Sequence, residues 1–269
     1  MSLTVVRALG LCTVQDLGRP GRMHEAVPPG GALVAERLIA ANRAARNPDH
    51  APALEILGQL AIRADAPIRV ATDTAPARAL AAGEELVVAS EPRRVAYLAV
   101  RGGLDAPLVL GGRGALLCAN LGGLVRAGQR FDTAGMAEVM PPRARRSSTA
   151  APKAPEPEDA PIRIVPGPDP ASFAPGALDV LLASEYRILP SSNRVGTRLD
   201  GPALPRSDAP EVSRPMVLGA LEVPRDGKPI VLGPEFPTTG GYPIAAVVVR
   251  ADLGRLFSIR LGGTVRFIR

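Results

Sequence analysis

The chain has 269 residues and a mass of 27.9 kDa, which is enough for one large domain or two small ones. Charged residues make up 22% and hydrophobic residues 46%, and no apolar run approaches the roughly 18 residues of a membrane span, which excludes an integral membrane helix. The formal net charge is +6, but the basic residues are spread along the chain and aromatic residues are only 3%, so we expect no nucleic-acid partner.

The N-terminal residues do not resemble a secretion signal, because Arg7, Gln15 and Asp16 interrupt any apolar stretch. We therefore expect a cytoplasmic protein. Only two cysteines and two histidines are present, with no CxxC and no HExxH pattern. The cysteines are interpreted as free thiols, and no metal site is expected.

The first half of the chain predicts one helix and then short strands. Apolar residues recur at helical spacing within 32–46, and Asn47 followed by Pro48 ends that pattern. Short β-like runs separated by turn residues follow at 60–62, 68–71, 85–89, 95–100 and 108–110.

A segment at 141–161, rich in proline, alanine and charge, has little to bury and is predicted to be a linker. It would separate an N-terminal β-rich lobe at 1–140 from a C-terminal lobe at 162–269. In the second lobe, β-like runs occur at 162–165, 216–223, 230–232, 245–249 and 264–268, with short helices at 175–184 and 252–257. Many short strands with 28 glycines and 29 prolines favour a mostly β barrel or sandwich over a βαβ array.

Common catalytic motifs are absent from the sequence. There is no GxxxxGK[ST] phosphate loop and no GxSxG nucleophile turn. A serine–histidine–aspartate triad would have to use His24 or His50. Any active site is therefore expected to be built from Arg, Asp, Glu, Thr, Tyr and backbone amides.

Two candidate segments lie in the first lobe's first 60 residues. A glycine- and proline-rich loop at 13–31 holds Asp16 and Arg19, which either belong to a site or pair with each other to fix the turn. Glu55 lies inside the apolar strand-like run ALEIL. Its carboxylate is either a paired structural charge or a site group with a raised pKa.

Three further segments could bind an anion. Arg113 follows a double glycine and could present its guanidinium, although double glycines also mark bulges and turns. In SSNRVGTRLDG, Arg194 and Arg198 are four residues apart beside Ser192 and Asn193; the alternative is a surface pair with Asp200. The turn PTTGGYP, with Thr238, Thr239, Gly240, Gly241 and Tyr242, is either an anion nest or a hairpin with a packed tyrosine.

Seven segments in order resemble the biotin-dependent carboxyltransferase, or allophanate hydrolase subunit 2, family, which includes KipA proteins and the C subunit of bacterial 5-oxoprolinase. They read TVQDLGRPG, VPPGGAL, ALEI, AYLAVRGGLDAPLVLG, SSNRVGTRLDGPAL, GALEVPRDGKPIVL and PTTGGYP. The resemblance covers nearly the whole chain outside the predicted linker. It implies a cyclophilin-like β-barrel and an ATP-dependent complex that opens 5-oxoproline to glutamate, with a KipI-like protein and a LamB-like protein as its other two subunits.

The resemblance also implies roles for the residues singled out above. The catalytic group would be Asp16, Arg19, Glu55, Arg194 and Arg198. The substrate- or nucleotide-binding group would be Arg113, Ser192, Asn193, Thr238, Thr239, Gly240, Gly241 and Tyr242. ATP is the cofactor implied at the level of the complex.

Two alternatives follow from the same resemblance. A urea carboxylase-like carboxyltransferase would need a partner that carries biotin, because neither Lys153 nor Lys228 follows a methionine. A KipA-like regulatory protein would bind its partner and do no chemistry. Departures from the family pattern bear on this second alternative, since Glu222, Phe236, Gly114 and Ala115 stand where amide, charged or hydroxyl side chains are usual.

Overall fold

The computed structural model describes residues 1–135 and 160–269, so the predicted linker lies, apart from its last two residues, outside the described residues. The first of these ranges forms a seven-stranded antiparallel sheet in the order β4-β3-β6-β2-β1-β7, with β5 also paired to β2. The strands are β1 (Ser2–Gln15), β2 (Ala53–Ala64), β3 (Ile68–Thr72), β4 (Arg78–Leu80), β5 (Glu85–Ala89), β6 (Ala96–Val100) and β7 (Arg130–Asp132).

Helix α1 (Ala35–Ala44) packs against this sheet, chiefly on β3 and β6. Its buried face includes Leu38 and Ala41, as the helical spacing predicted. The helix ends before Asn47, whose side-chain amide donates to the carbonyl of Val100 at 2.8 Å. The end of the helix is therefore tied to the sheet by a buried hydrogen bond.

The second range forms a closed barrel in the order β10-β13-β12-β15-β8-β16-β9. Its strands are β8 (Ile162–Pro166), β9 (Glu185–Ile188), β10 (Gly196–Asp200), β12 (Ala220–Glu222), β13 (Ile230–Leu232), β15 (Ile244–Val248) and β16 (Thr264–Ile268). The pairing of β8 with β16 is parallel and the other barrel pairings are antiparallel. A separate ribbon pairs β11 (Arg214–Pro215) with β14 (Thr239–Gly240), and two short helices accompany the barrel, α2 (Ala177–Ala183) and α3 (Leu253–Ser258).

One hydrophobic cluster is shared by the sheet and the barrel. It contains Leu38 of α1 and Tyr97 of β6 together with Leu221, Val231 and Phe267 of the barrel strands. A second cluster lies within the sheet, between strands β1, β2, β3 and β6. The polar groups described below therefore lie at the junction between the sheet and the barrel.

The prediction of a mostly β protein with a β-barrel is confirmed, and each predicted helix overlaps an observed one. The predicted strand at 108–110 is wrong, because Leu110 has a positive φ of 53° and Val109 exchanges backbone hydrogen bonds with Gly112 across a tight turn. The long strand β1 was not predicted, since Arg7 and Gly10 interrupt its alternation. Among the described residues no helix is long and apolar enough to cross a membrane.

An ion pair between partly exposed Arg163 and buried Asp252 fastens α3 to the barrel. Arg163 donates from Nη2 to Asp252 Oδ1 at 2.7 Å and from Nε to Oδ2 at 2.9 Å, and its backbone N–H also donates to Oδ2. These hydrogen bonds lower the pKa of Asp252 from 3.8 to about 2. Because the folded pKa is depressed, this stabilisation is present above pH 3.8 and is lost as the pH falls through about 2.

We expect Asp252→Asn to lower the free energy of unfolding at pH 7 by about 2 kcal/mol. The difference from wild type should shrink below pH 4 and vanish near pH 2, as measured by urea titration across pH. Asp132→Asn on exposed β7 is the matched control and should leave the unfolding midpoint unchanged. A constant deficit for Asp252→Asn from pH 7 to pH 2 would contradict this account.

Candidate functional site

The guanidinium of Arg194 joins the sheet to the barrel. Its Nε donates to Glu235 Oε1 at 2.6 Å, its Nη1 donates to Glu55 Oε1, and its Nη2 donates to the carbonyl of Gly31. The three side chains are at most 2% exposed. These hydrogen bonds use three of the five N–H groups of the guanidinium and join it to buried groups of the sheet, the barrel and a loop, so Arg194 holds those groups in position.

Glu55 is a paired charge at the centre of this junction. Its second oxygen, Oε2, accepts from the backbone N–H of Leu33 and from the hydroxyl of Tyr97, both at 2.7 Å. The Tyr97 oxygen in turn accepts from the N–H of Val34 at 2.9 Å. Burial, reinforced by the charge of Glu55, raises the pKa of Tyr97 well above its usual value, so its hydroxyl remains a donor.

Asp16 and Arg19 bind a second loop rather than each other. Asp16 accepts from the N–H of Gly18 at 2.8 Å and from the N–H of Arg113 at 2.6 Å. Arg19 donates from Nε to the carbonyl of Val109 at 2.9 Å and from Nη2 to that of Gly114 at 2.8 Å. The segment around 16–19 is thus fastened to the turn at 109–114.

Glycine is required where these two segments approach. A Cβ on Gly112 would lie 2.7 Å from Cγ of Arg19, and one on Gly114 would lie 2.7 Å from Oε1 of Gln15. Between these glycines, Arg113 directs its Nη1 to the carbonyl of Ala106. The guanidinium of Arg113 therefore also has a partner within the fold.

One donor of Arg19 has no acceptor. Its Nη1 is buried and forms no hydrogen bond with any residue of 1–135 or 160–269. A Cβ on half-buried Gly30 would lie 3.9 Å from this nitrogen and 3.2 Å from Leu116 Cδ1. Burial lowers the pKa of Arg19, but Asp16 and Glu235 oppose that effect, and an arginine remains charged in a protein. A ligand oxygen beside Gly30 would be in place to accept a hydrogen bond from Nη1 of Arg19.

Sequence reasoning missed two participants in the junction, Arg94 and Tyr97. Arg94 is 4% exposed and donates from Nη1 to Thr197 Oγ1 at 2.8 Å and from Nη2 to the carbonyl of Asn193 at 3.1 Å. Burial lowers its pKa to about 10, an effect that Glu55 opposes and Arg194 reinforces. The sequence did offer a signal: Arg94 directly precedes the apolar run VAYLAV and Tyr97 lies within it, and polar groups in a buried strand need partners.

The segment at 191–198 is largely a turn. Ser192 Oγ accepts from the N–H of Arg198 at 2.9 Å, and Asn193 Oδ1 accepts from the N–H of Val195 at 2.9 Å. The Arg198 side chain is on the exposed side of β10, whereas Arg194 is buried. Asp200 pairs with Lys228 at 2.9 Å, so the predicted surface pair is not formed with Arg198. The structure does not bring the two arginines to one anion.

The turn PTTGGYP forms one side of the two-stranded ribbon. The carbonyl of Thr238 accepts from the N–H of Met216 at 3.1 Å, and Thr239 and Gly240 pair with β11. Tyr242 is 43% exposed, so its ring is not packed in the core. Gly241 is half-buried, and a Cβ on it would meet nothing within 4 Å. No group of three metal-ligating side chains occurs among the residues the structure describes.

The positions of Arg194 and Arg198 give a prediction that separates a positioning role from an exposed one. Removing Arg194 leaves two buried carboxylates without their shared partner, so Arg194→Met should lower the free energy of unfolding by about 3–5 kcal/mol. Arg198→Met is the matched control on an exposed face and should change it by less than about 0.5 kcal/mol. Guanidinium chloride unfolding followed by circular dichroism measures both. Equal losses in the two variants would show that Arg194 does not hold the junction.

Comparisons with known proteins agree with this architecture. The chain is 32% identical to the C subunit of 5-oxoprolinase from Escherichia coli, over 99% of this chain and 91% of that protein. It is 27% identical to urea amidolyase of Lachancea kluyveri, over 95% of this chain but only 16% of that protein.

Among solved structures, the crystal structure of TTHA0988 is similar with a TM-score of 0.83 and 29% identity. The match covers all of this chain, which spans about half (55%) of the length of TTHA0988. The family model described as "Carboxyltransferase domain, subdomain A and B" matches residues 77–269, more than half of the chain. The chain thus belongs to the carboxyltransferase domain family, whose domain comprises subdomains A and B.

Proposed function

We propose that this chain is the C subunit of an ATP-dependent 5-oxoprolinase-type complex, which opens 5-oxoproline to glutamate with ATP hydrolysis. The observation that carries the proposal is the similarity to the C subunit of 5-oxoprolinase along nearly the full length of both chains. The partners are a KipI-like subunit and a LamB-like subunit, ATP acts at the level of the complex, and the complex is cytoplasmic.

The chemistry suits a site made of arginine and backbone groups. A lactam carbonyl is a poor electrophile, and phosphorylation of its oxygen activates the carbon before water attacks. Phosphoryl transfer spreads negative charge over the phosphoryl oxygens, which preorganised cationic donors stabilise, and the later attack of water moves an electron pair onto the ring nitrogen, which takes up a proton as the C–N bond opens. The free Nη1 of Arg19 is the donor that supports this role, because it is buried and has no acceptor in the described fold.

Within this function the predicted site residues divide into two groups. Arg19 binds the ligand oxygen beside Gly30, and Asp16 and Arg113 hold the Arg19 segment in place. Glu55 and Arg194 act as positioning residues. A second group, comprising Ser192, Asn193, Arg198 and Thr238 to Tyr242, lies on exposed or half-buried turns and strands, where the rest of a nucleotide or another protein of the complex has access to it.

A second candidate function is carboxyl transfer, as in urea carboxylase. The match to the carboxyltransferase family model and to urea amidolyase favours it. Biotin would then be carried by a partner chain. A KipA-like regulatory role without chemistry is the third candidate, favoured by Phe236, whose ring is buried in an apolar cluster where a charged or imidazole side chain would be unsatisfied.

The test uses glycine variants that leave the contacts of Arg19 intact. Gly30→Ala places a methyl group in the space beside Arg19 Nη1, whereas Gly21→Ala adds the same methyl group at a similar positive φ, 85° against 60°, into open space. In the complex reconstituted with its KipI-like and LamB-like partners, Gly30→Ala should lower kcat/KM for ATP-dependent glutamate release at least about tenfold. That loss corresponds to about 1.4 kcal/mol of ligand binding.

Gly21→Ala should leave turnover unchanged, and Gly30→Ala, whose methyl group also contacts Leu116 Cδ1 at 3.2 Å, should remain folded with a Tm slightly below that of Gly21→Ala. Equal turnover in both variants would remove Arg19 from the ligand site. Absence of any glutamate release by the wild-type complex would overturn the oxoprolinase proposal. A biotinylated partner on an avidin blot would then favour carboxyl transfer, and a partner without either property would favour regulation.

A further inference from the structure

The outer face of the barrel strands β12, β13 and β15 carries its own cluster of buried residues. Leu221 and Val231 belong to the main core, whereas the adjacent Ala220 and Leu232 belong to a separate cluster with Met216, Phe236 and Ile244. Met23, from the loop that also carries Asp16 and Arg19, packs against this second cluster. The outer face of these strands therefore also contacts the first half of the chain, through Met23.

Glu222 lies on this outer face and is buried without a partner. By strand alternation it shares the face of Ala220, opposite Leu221, and only 6% of it is exposed. It forms no hydrogen bond or ion pair with any residue in the described ranges 1–135 and 160–269, and its oxygens are not among the fully buried unpaired atoms, so they keep some contact with solvent. Burial raises the pKa of Glu222, with no neighbouring cation to oppose it.

The carboxyl of Glu222 lies directly beneath the ribbon formed by the PTTGGYP turn. A Cβ on Gly240 would be 2.9 Å from Glu222 Oε1 and 2.8 Å from Met216 Cε, so the ends of both side chains pack directly against this glycine. The glycine that follows, Gly241, has open space around it. The oxygen thus lies close to the one part of the ribbon that has no side chain to cover it.

The cation nearest in the ribbon, Arg214, does not pair with Glu222. Arg214 pairs with Gly240 across the ribbon, yet its guanidinium binds Asp169 Oδ1. Asp169 Oδ2 accepts from the N–H of Ile244 at 2.8 Å, and Ile244 is the strand partner of Glu222. One carboxylate on this face is therefore fully satisfied by the fold, and the adjacent one is not. A ligand that brings a donor to the little-exposed carboxyl of Glu222 would supply the hydrogen bond that the fold does not.

We propose that Glu222 is a ligand-binding residue that accepts a hydrogen bond from an N–H group of a cyclic amide or ureido ligand bound beside the Gly240–Gly241 turn. An acceptor-only group that the fold leaves unpaired selects ligands that bring a donor, because a ligand without one leaves the carboxyl desolvated. That the ligand is a lactam rests on the proposed function. That the ligand brings an N–H donor rests only on the unpaired carboxyl of Glu222.

The test compares ligands that differ only in the N–H group. The full-length chain is titrated with 5-oxoproline and N-methyl-5-oxoproline, and separately with 2-imidazolidinone and its N,N′-dimethyl derivative, by saturation-transfer NMR. We expect the wild type to bind the N–H member of each pair at least about tenfold more tightly, as a hydrogen bond to a charged group provides.

Glu222→Met removes the acceptor and keeps the volume, and should reduce this preference to within about twofold. Glu222→Gln retains an acceptor oxygen and should keep most of the preference. Glu85→Met, at an exposed glutamate of β5, is the matched control and should behave as wild type. Because Glu222→Met removes a carboxyl that has no partner in the described fold and leaves an apolar side chain at a 6% exposed position, its Tm should be equal to or above that of the wild type.

The outcomes separate this proposal from the proposed function. A preference for N–H ligands that survives in Glu222→Met, or no preference in the wild type, overturns the role of Glu222 even if the complex turns over 5-oxoproline. A preference for 2-imidazolidinone that Glu222→Met abolishes supports Glu222 even if the complex releases no glutamate. A fall in Tm for Glu222→Met would show that the carboxyl serves the fold, and would also overturn the proposal.

Discussion

The guanidinium of Arg194 is the interaction on which the junction depends. One cation satisfies a carboxylate from the sheet, a carboxylate from the segment after β13 and a carbonyl from the loop after β1. Arg194 shares these carboxylates with other cations. The negative charge of Glu235 also favours the charged form of Arg19, and that of Glu55 favours the charged form of Arg94, so each opposes the lowering of the arginine pKa by burial. Desolvated charges are tolerated only when such geometry is complete, so the loop, the sheet and the barrel hold one another in register.

A ligand can use only the hydrogen-bonding capacity that this network leaves unused. Within the described ranges the unpaired buried atoms near the junction are few: Nη1 of Arg19, Oε1 of Gln15 and Nε of Arg94. The carboxyl of Glu222 lies beside the ribbon on the barrel side. The fold thus leaves a cationic donor beside Gly30 and an acceptor beside Gly240 without partners among the described residues.

The sequence predicted the fold class better than it predicted the roles of individual charges. Periodicity located α1 and several barrel strands, because those segments bury one face on a single core. It missed β1, where Arg7 and Gly10 break the alternation, and it misread 108–110, where three apolar residues form an exposed turn held by Arg19. Hydropathy cannot reveal such a turn, because the turn is held by a hydrogen bond from the side chain of Arg19 to the backbone carbonyl of Val109, 90 positions away in the sequence.

The same limit applies to the candidate site. The four-residue spacing suggested that Arg194 and Arg198 act together. In the folded chain a turn and the alternation of β10 bury Arg194 in the junction and leave Arg198 on the surface. Arg94 and Tyr97 were missed because their partners lie on other elements, reached only after folding. The sequence shows Glu222 as a carboxylate where the family usually has an amide, but its lack of a partner is a property of the packed barrel and not of the motif.

The parallel pairing of β8 with β16 has a consequence for how the second half folds. These are the first and last strands of the barrel in sequence, so the barrel has no closed form until residues near Phe267 pair with Ile162. Contacts of such long sequence separation form late and make folding slow. Until β16 is in place, the edges of β8 and β9 that pair with it stay open, and unpaired strand edges of this kind are prone to aggregate.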